Sequence, residues 1–176
     1  MLLDRLFRTR PTKAVGQALY QRVVDQSRHT ALYADLGAPD TVEGRFELYT
    51  LHLVLVIERL REGGEQAAET SQALFDTYVK SLDHALREMG VGDLSVGKKM
   101  RKLGEALFGR ARSYETAFHA LPATELLEAL LIRTLYAEAD GAHASRMAAY
   151  VLDQRAALAA QPLDRLLAGE VDWKAP

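Results

Sequence analysis

Apolar side chains recur at intervals of three and four residues along most of the chain, the spacing that places them on one face of an α-helix. No segment alternates apolar and polar residues between hairpin turns, so the pattern gives no strand signal. It therefore predicts an all-α fold, a single-domain helical bundle of about six helices. The predicted helices span residues 13–36, with a bend near 27–30, and residues 41–61, 65–89, 93–118, 125–139 and 142–160.

One domain is predicted to occupy residues 1–176, because no Pro/Gly/Ser-rich linker divides a chain long enough to fill one core. Residues 1–12 are expected to be a short amphipathic, basic segment. Either it docks on the body of the protein or frays as chain ends often do, or it touches an anionic membrane surface. Residues 161–176 are expected to form a tail that Trp173 tethers to the body.

The predicted helix at residues 41–61 is the most apolar and carries two apolar stripes. The first stripe comprises Phe46, Tyr49, Leu53, Val56, Ile57 and Leu60, and the second comprises Leu48, Leu51 and Leu55. We expect Phe46, Leu53, Val56 and Ile57 to be nearly inaccessible to solvent. The second stripe leaves two interpretations open, because neighbouring helices could cover it or it could present a face to a partner.

The predicted helix at residues 93–118 has a regular inward stripe and a charged outer face. From residue 95 to residue 112 its only acid is Glu105. The six basic residues in that interval are Lys98, Lys99, Arg101, Lys102, Arg110 and Arg112. This face is predicted to be either an ordinary solvated surface or a site for acidic groups. Gly97 and Gly104 share one flank, where they would permit close approach of a helix or ligand.

Composition and motifs limit the kinds of binding and catalysis that we expect of this protein. A net charge of −2 argues against general nucleic-acid binding, and the absence of cysteine excludes thiol catalysis and Cys-ligated metals. The five histidines form no HExxH or repeated ExxH motif, and the spacing of Asp140 and His143 alone is a weak metal signal. We therefore predict no catalytic residues, no metal site and no cofactor. With no secretory signal, a cytoplasmic protein is expected, peripheral at most.

Two stretches resemble the ubiquinol-cytochrome c chaperone family: EGRFELYTLHLVLVIERLR at residues 43–61, and FDTYVKSLDHALREMGVGDLSVGKKMRKLGEALFGRARSYE at residues 75–115. The similarity covers about residues 11–120 well and the rest loosely, and residues 86–109 are its most specific part. It implies an all-helical assembly factor that holds newly made cytochrome b before that subunit joins the cytochrome bc complex. In mitochondria such proteins work with a small partner near ribosomes and the inner membrane. Because the chain carries no transit extension, a bacterial-type member is expected.

The resemblance also implies which residues bind a client or lipid. The matching positions are Phe46, Glu47, Tyr49, His52, Asp93, Ser95, Gly97, Lys98, Lys99 and Arg101, and Lys102 joins them as part of the basic face.

Three functions are compatible with these observations. The first is a non-catalytic chaperone whose client is a membrane protein such as cytochrome b. The second is a lipid- or quinone-binding peripheral module, and the third is a small enzyme that uses His52. A closed pocket with His52 beside a carboxylate would favour the enzyme, whereas an open groove rimmed by the basic helix would favour the chaperone.

Overall fold

The computed structural model describes residues 12–137 and 139–176, and these residues form helices with no strand among them. Most of the predicted amphipathic segment, residues 1–11, lies outside the described residues. In chain order the helices are α1 (Thr12–Ser27), α2 (Thr30–Ala34), α3 (Val42–Leu60), α4 (Gly64–Glu88), α5 (Asp93–His119), α6 (Glu125–Arg133), α7 (Ala144–Ala160) and α8 (Leu163–Leu167). A 3₁₀ turn, Gly141–His143, precedes α7. The all-α prediction is confirmed.

Local capping explains where the observed helices differ from the predicted ones. The predicted bend near residues 27–30 is a complete break, because the His29 side chain accepts a hydrogen bond from the Ala31 amide and starts α2. The helix predicted at residues 125–139 ends at Arg133. Leu135 and Tyr136 then turn into the core, where the Tyr136 hydroxyl donates to the Leu36 carbonyl. The short helix α8 was not predicted.

Helix α3 is the centre of the bundle and is covered on nearly all sides. Thr41 caps its first turn through a 3.0 Å hydrogen bond from the Gly44 amide. The second stripe, Leu48, Leu51 and Leu55, is buried, as are Leu53 and Val56 of the first stripe. The second stripe is therefore covered by neighbouring parts of the protein and does not present a face to a partner. The expectation for Phe46 and Ile57 was wrong, because both are half-buried at the edge of the core.

The long helices pack closely around this centre. Helix α1 lies against α4 so tightly that a Cβ placed on Gly16 would stand 2.6 Å from the Ala73 carbonyl carbon. A side chain at Gly16 would therefore force the two backbones apart. Among the described helices, none combines the length and apolar character needed to cross a bilayer.

A buried chain of polar groups joins α3 to α1, α7 and the C-terminal tail. The Nδ1 of His52 lies 2.8 Å from the Leu48 carbonyl and 2.9 Å from the Ser27 hydroxyl, and Nε2 lies 2.7 Å from the Tyr150 hydroxyl. Gln26 donates to the same Tyr150 oxygen at 2.8 Å. Since a carbonyl can only accept, Nδ1–H donates to Leu48. Burial lowers the pKa of His52 to about 4 and so keeps the imidazole neutral, which leaves Nε2 to accept from Tyr150.

The tail closes this network, as predicted for Trp173. The indole of Trp173 meets the His52 ring edge-on at 5.2 Å and donates a 3.0 Å hydrogen bond to the Arg22 carbonyl. The side chain of Gln154 bonds both the amide and the carbonyl of Lys174, each at 2.9 Å. Among the described residues, every buried side-chain nitrogen and oxygen has a hydrogen-bond partner.

Leu53→Ala is expected to destabilise the protein by about 2–5 kcal/mol, because Leu53 is fully buried in α3 and truncation leaves a cavity. Urea unfolding measures the change. The matched control is Leu126→Ala on the exposed side of α6, which should alter the free energy of unfolding by about 0.5 kcal/mol or less. Equal unfolding curves for Leu53→Ala and the wild type would contradict the central position of this side chain.

Stability is expected to fall as the pH decreases from 6.5 towards 4. Burial lowers the pKa of His52 to about 4, against 6.5 in the unfolded chain, so the unfolded state binds the extra proton in this interval. Protonation of His52 alone should cost about 2 kcal/mol between pH 7 and pH 5.

Urea unfolding at the two pH values tests this dependence. An exposed-histidine control, His84→Gln, should keep the loss, whereas His52→Gln should lack this share of it. The same pH dependence in all three proteins would show that His52 does not cause it.

Candidate functional site

An open groove of about 460 Å³ runs between α3, α4 and α5. Its floor comes from buried α3 side chains, including Leu53 and Val54, together with the half-buried Ile57. Phe75 of α4 and Phe108 of α5 form one side, with ring centroids 5.8 Å apart. Phe108 is 66% exposed, so a large apolar surface faces solvent at the groove's edge.

Paired charges line the groove's polar end. Arg61 donates to Glu115 at 2.5 Å, and Arg155 binds Glu58 with two nitrogens at 2.8 and 3.0 Å. The same Arg155 guanidinium lies 4.9 Å from the centre of the Phe118 ring. Because these carboxylates already have cationic partners, the groove is better suited to an apolar guest than to a cation.

The residues of α3 that the family resemblance implies as binding residues lie elsewhere and are occupied by internal contacts. Glu47 is buried and forms a bidentate pair with Arg110, with Arg110 Nε 2.9 Å from Oε2 and Nη2 2.8 Å from Oε1. The pairing raises the pKa of Arg110. Tyr49 accepts a 2.9 Å hydrogen bond from Arg28, and Phe46 is half-buried.

His52 is fully buried, and its ring nitrogens bond Ser27, Leu48 and Tyr150. No carboxylate contacts it among the described residues, and it does not line the groove. The surroundings of His52 therefore differ from a closed pocket with a neighbouring carboxylate, the arrangement that would have favoured an enzyme.

The predicted binding residues of α5 lie at the end of α5 that is away from the core. They are therefore far from the predicted binding residues of α3. Those that are solvent-exposed are Asp93, Ser95, Gly97, Lys98, Lys99, Arg101 and Lys102. Asp93 pairs with Arg87 across the loop between α4 and α5. A Cβ on Gly97 or Gly104 would meet nothing within 4 Å, so no described helix approaches that flank.

Arg110 corrects the prediction of a six-residue outer basic face. It turns toward α3 to bind Glu47, because a buried carboxylate requires a charged partner. The outer basic face of α5 thus retains Lys98, Lys99, Arg101 and Lys102 near its start and Arg112 further along.

Sequence reasoning missed Phe75 and Phe108, which stand off the inward stripes of their own helices. An exposed Phe beside a basic run was the available signal, but only the packing of α4 on α5 brings the two rings together. The weak metal signal has a local explanation, since Asp140 accepts a hydrogen bond from the Ala142 amide. Within residues 12–137 and 139–176, no cluster of His, Asp and Glu is arranged to hold a metal.

Comparisons with known proteins agree with the fold and with the resemblance. Residues 34–173 match the family described as ubiquinol-cytochrome C chaperone. The crystal structure of the Cbp3 homolog from Brucella abortus is similar over 99% of this chain and 97% of that chain, with a TM-score of 0.87 and 32% sequence identity. No curated protein gives a match. The matched residues include the groove and all of α3, α4 and α5, and the chain belongs to the ubiquinol-cytochrome c chaperone family.

Proposed function

We propose that this chaperone holds newly made cytochrome b during assembly of the cytochrome bc complex, and that the groove between α3, α4 and α5 takes an apolar segment of that client. The observation that carries the proposal is the exposed aromatic edge of the groove, Phe108 beside Phe75. A membrane subunit that has not yet inserted exposes apolar side chains, and an open apolar groove can shield some of them from water.

The lining of the groove supports the binding of a client rather than the catalysis of a reaction. Helix α5 lines the groove with apolar side chains such as Leu107 and Phe108 rather than with its basic face, and the carboxylates at its end are already paired. The proposed action is therefore binding and release, with no bond made or broken. The proposed place of work is the cytoplasmic face of the inner membrane, with the protein attached peripherally.

In a bacterium that makes a cytochrome bc complex, deletion of the gene should lower assembled cytochrome b while its transcript stays level. Reduced-minus-oxidised spectra of membranes from cells grown by respiration measure the assembled subunit. Tagged protein captured from cells in mild detergent should bring down cytochrome b. Normal cytochrome b in the deletion strain would refute the proposal, and the lipid- or quinone-binding alternative would then take its place.

Phe108→Ser should weaken client binding by about 2 kcal/mol, or roughly thirtyfold, because a large aromatic ring that is exposed in the free protein and buried by the client contributes strongly to affinity. Stability should change little, since the ring is mostly exposed. Quantitative capture of cytochrome b measures the effect. Leu126→Ser on α6 is the control, because it also removes an exposed apolar side chain but lies outside the groove. Equal losses of capture in both variants would exclude the groove as the binding site.

A further inference from the structure

The hairpin formed by α4 and α5 extends beyond the core of the protein. No apolar side chain from Asp83 to Ala106 belongs to the continuous core or packs against its edge. Leu86 and Val96 are buried, but within this hairpin end and apart from that core. We call residues 83–106 the hairpin end.

The apex of the hairpin end exposes apolar side chains. Helix α4 ends with the Val91 amide bonded to the Leu86 carbonyl and the Gly90 amide bonded to the Arg87 carbonyl. This helix end requires the positive φ of Gly90, 81°, and it turns the chain sharply into α5. Leu94 is fully exposed there, and Met89 is 53% exposed. Among the described residues, none packs over these two side chains enough to bury them.

Unpaired cations follow the apex along the first turns of α5. Leu94, Lys98 and Arg101 recur at four- and three-residue intervals and so share one face of α5, and Lys102 follows on that face. With Lys99 on the flank, these cations form what we call the tip cluster: Lys98, Lys99, Arg101 and Lys102. All four are exposed, and none forms an ion pair with another described residue.

The acids near the apex do not neutralise the tip cluster. Asp83 and Asp93 are bound to Arg87, and Asp93 lies about 140° around α5 from Lys98. The Glu88 carboxylate, at the end of α4, lies 3.5 Å from the His84 ring of the same helix. Glu105 is on the cationic side but three residues beyond Lys102, away from the apex. The arrangement is therefore an exposed apolar point followed along α5 by four unpaired cations.

We propose that the hairpin end docks on an anionic lipid bilayer, with Leu94 and Met89 entering the boundary between headgroups and acyl chains and the tip cluster contacting lipid phosphates. The inference rests on the proposed function, since it identifies the surface on which the chaperone holds its client. A bilayer fits better than an acidic peptide because the tip is convex, whereas the groove begins at Leu107 and includes no residue of the hairpin end. Docked in this way, the groove remains accessible above the membrane.

Sedimentation with phosphatidylcholine vesicles, with and without phosphatidylglycerol, tests the electrostatic part. The wild type should bind only the anionic vesicles, and binding should weaken with added salt. Replacing the four residues of the tip cluster by Gln should reduce binding at least about 100-fold, since each cation near an anionic surface contributes about fivefold. The control has the same charge change at exposed cations elsewhere: Lys13, Arg22, Arg133 and Arg146 to Gln. Both variants should melt like the wild type, and equal loss of binding in both would overturn the proposal.

A labelled cysteine tests insertion separately from adsorption. The chain contains no cysteine, so Leu94→Cys offers a single site for an environment-sensitive fluorophore. On anionic vesicles its emission should increase and shift to the blue, because the label leaves water for the lipid boundary. The matched control is Ile132→Cys on α6, where the exposed label should not respond. No response at residue 94, or equal responses at both sites, would overturn the proposal.

Comparison with client capture separates this inference from the proposed function. Vesicle binding without capture of cytochrome b would support docking of the hairpin end and refute the client assignment. If the wild type ignores anionic vesicles while the tip-cluster variant loses cytochrome b, the lipid proposal fails, and the cations instead contact an acidic segment of the client.

Discussion

The rest of this structure depends on one requirement. The polar side chains of the buried helix α3 must have hydrogen-bond or ion-pair partners inside the protein. Helix α3 lies inside the bundle, yet it carries a carboxylate, a histidine and a threonine on its buried surface. An unpaired buried charge or imidazole costs more free energy than most single packing contacts contribute. Each polar group therefore determines a neighbour: Arg110 of α5 pairs with Glu47, Tyr150 of α7 donates to His52, and the Tyr78 hydroxyl of α4 lies 3.0 Å from that of Thr50.

Because most of α3 is covered inside the bundle, the surface that is available for binding lies mainly on α4 and α5. Of the α3 positions that match the family's pattern, Glu47 and His52 are buried and bonded inside the bundle, and Phe46 and Tyr49 are half-buried. Helix α5 links the two regions. Arg110 fixes its middle against α3, Phe108 exposes a ring at the groove, and its first turns carry the tip cluster away from the core. Displacing α5 would therefore change the groove and the hairpin end together.

The sequence predicted the elements better than their contacts, and the reason is physical. The spacing of Leu48, Leu51 and Leu55 defines a face within one helix, but it does not say what covers that face. Arg110 and Lys102 look alike in the sequence, and only the approach of Glu47 from α3 distinguishes a buried ion pair from a solvated cation. The pairing of Phe75 with Phe108 likewise depends on the register between α4 and α5. The exposed part of the basic face was predictable because it depends mainly on local sequence. The sequence also predicted that Trp173 tethers the tail, but not its partners, Arg22 and His52, which lie far away along the chain.

The contacts of the C-terminal tail also determine when the core can be completed during synthesis of the chain. Gln26, close to the start of the described chain, bonds the carbonyl of Lys174, and the indole of Trp173 covers the histidine at the centre of α3. Contacts between residues so distant in sequence form only after the later residue has left the ribosome. Until then the imidazole at the core lacks its cover, and the nascent protein exposes apolar surface much as its proposed client does. The core of this chaperone is therefore complete only after Trp173 and Lys174 have been made.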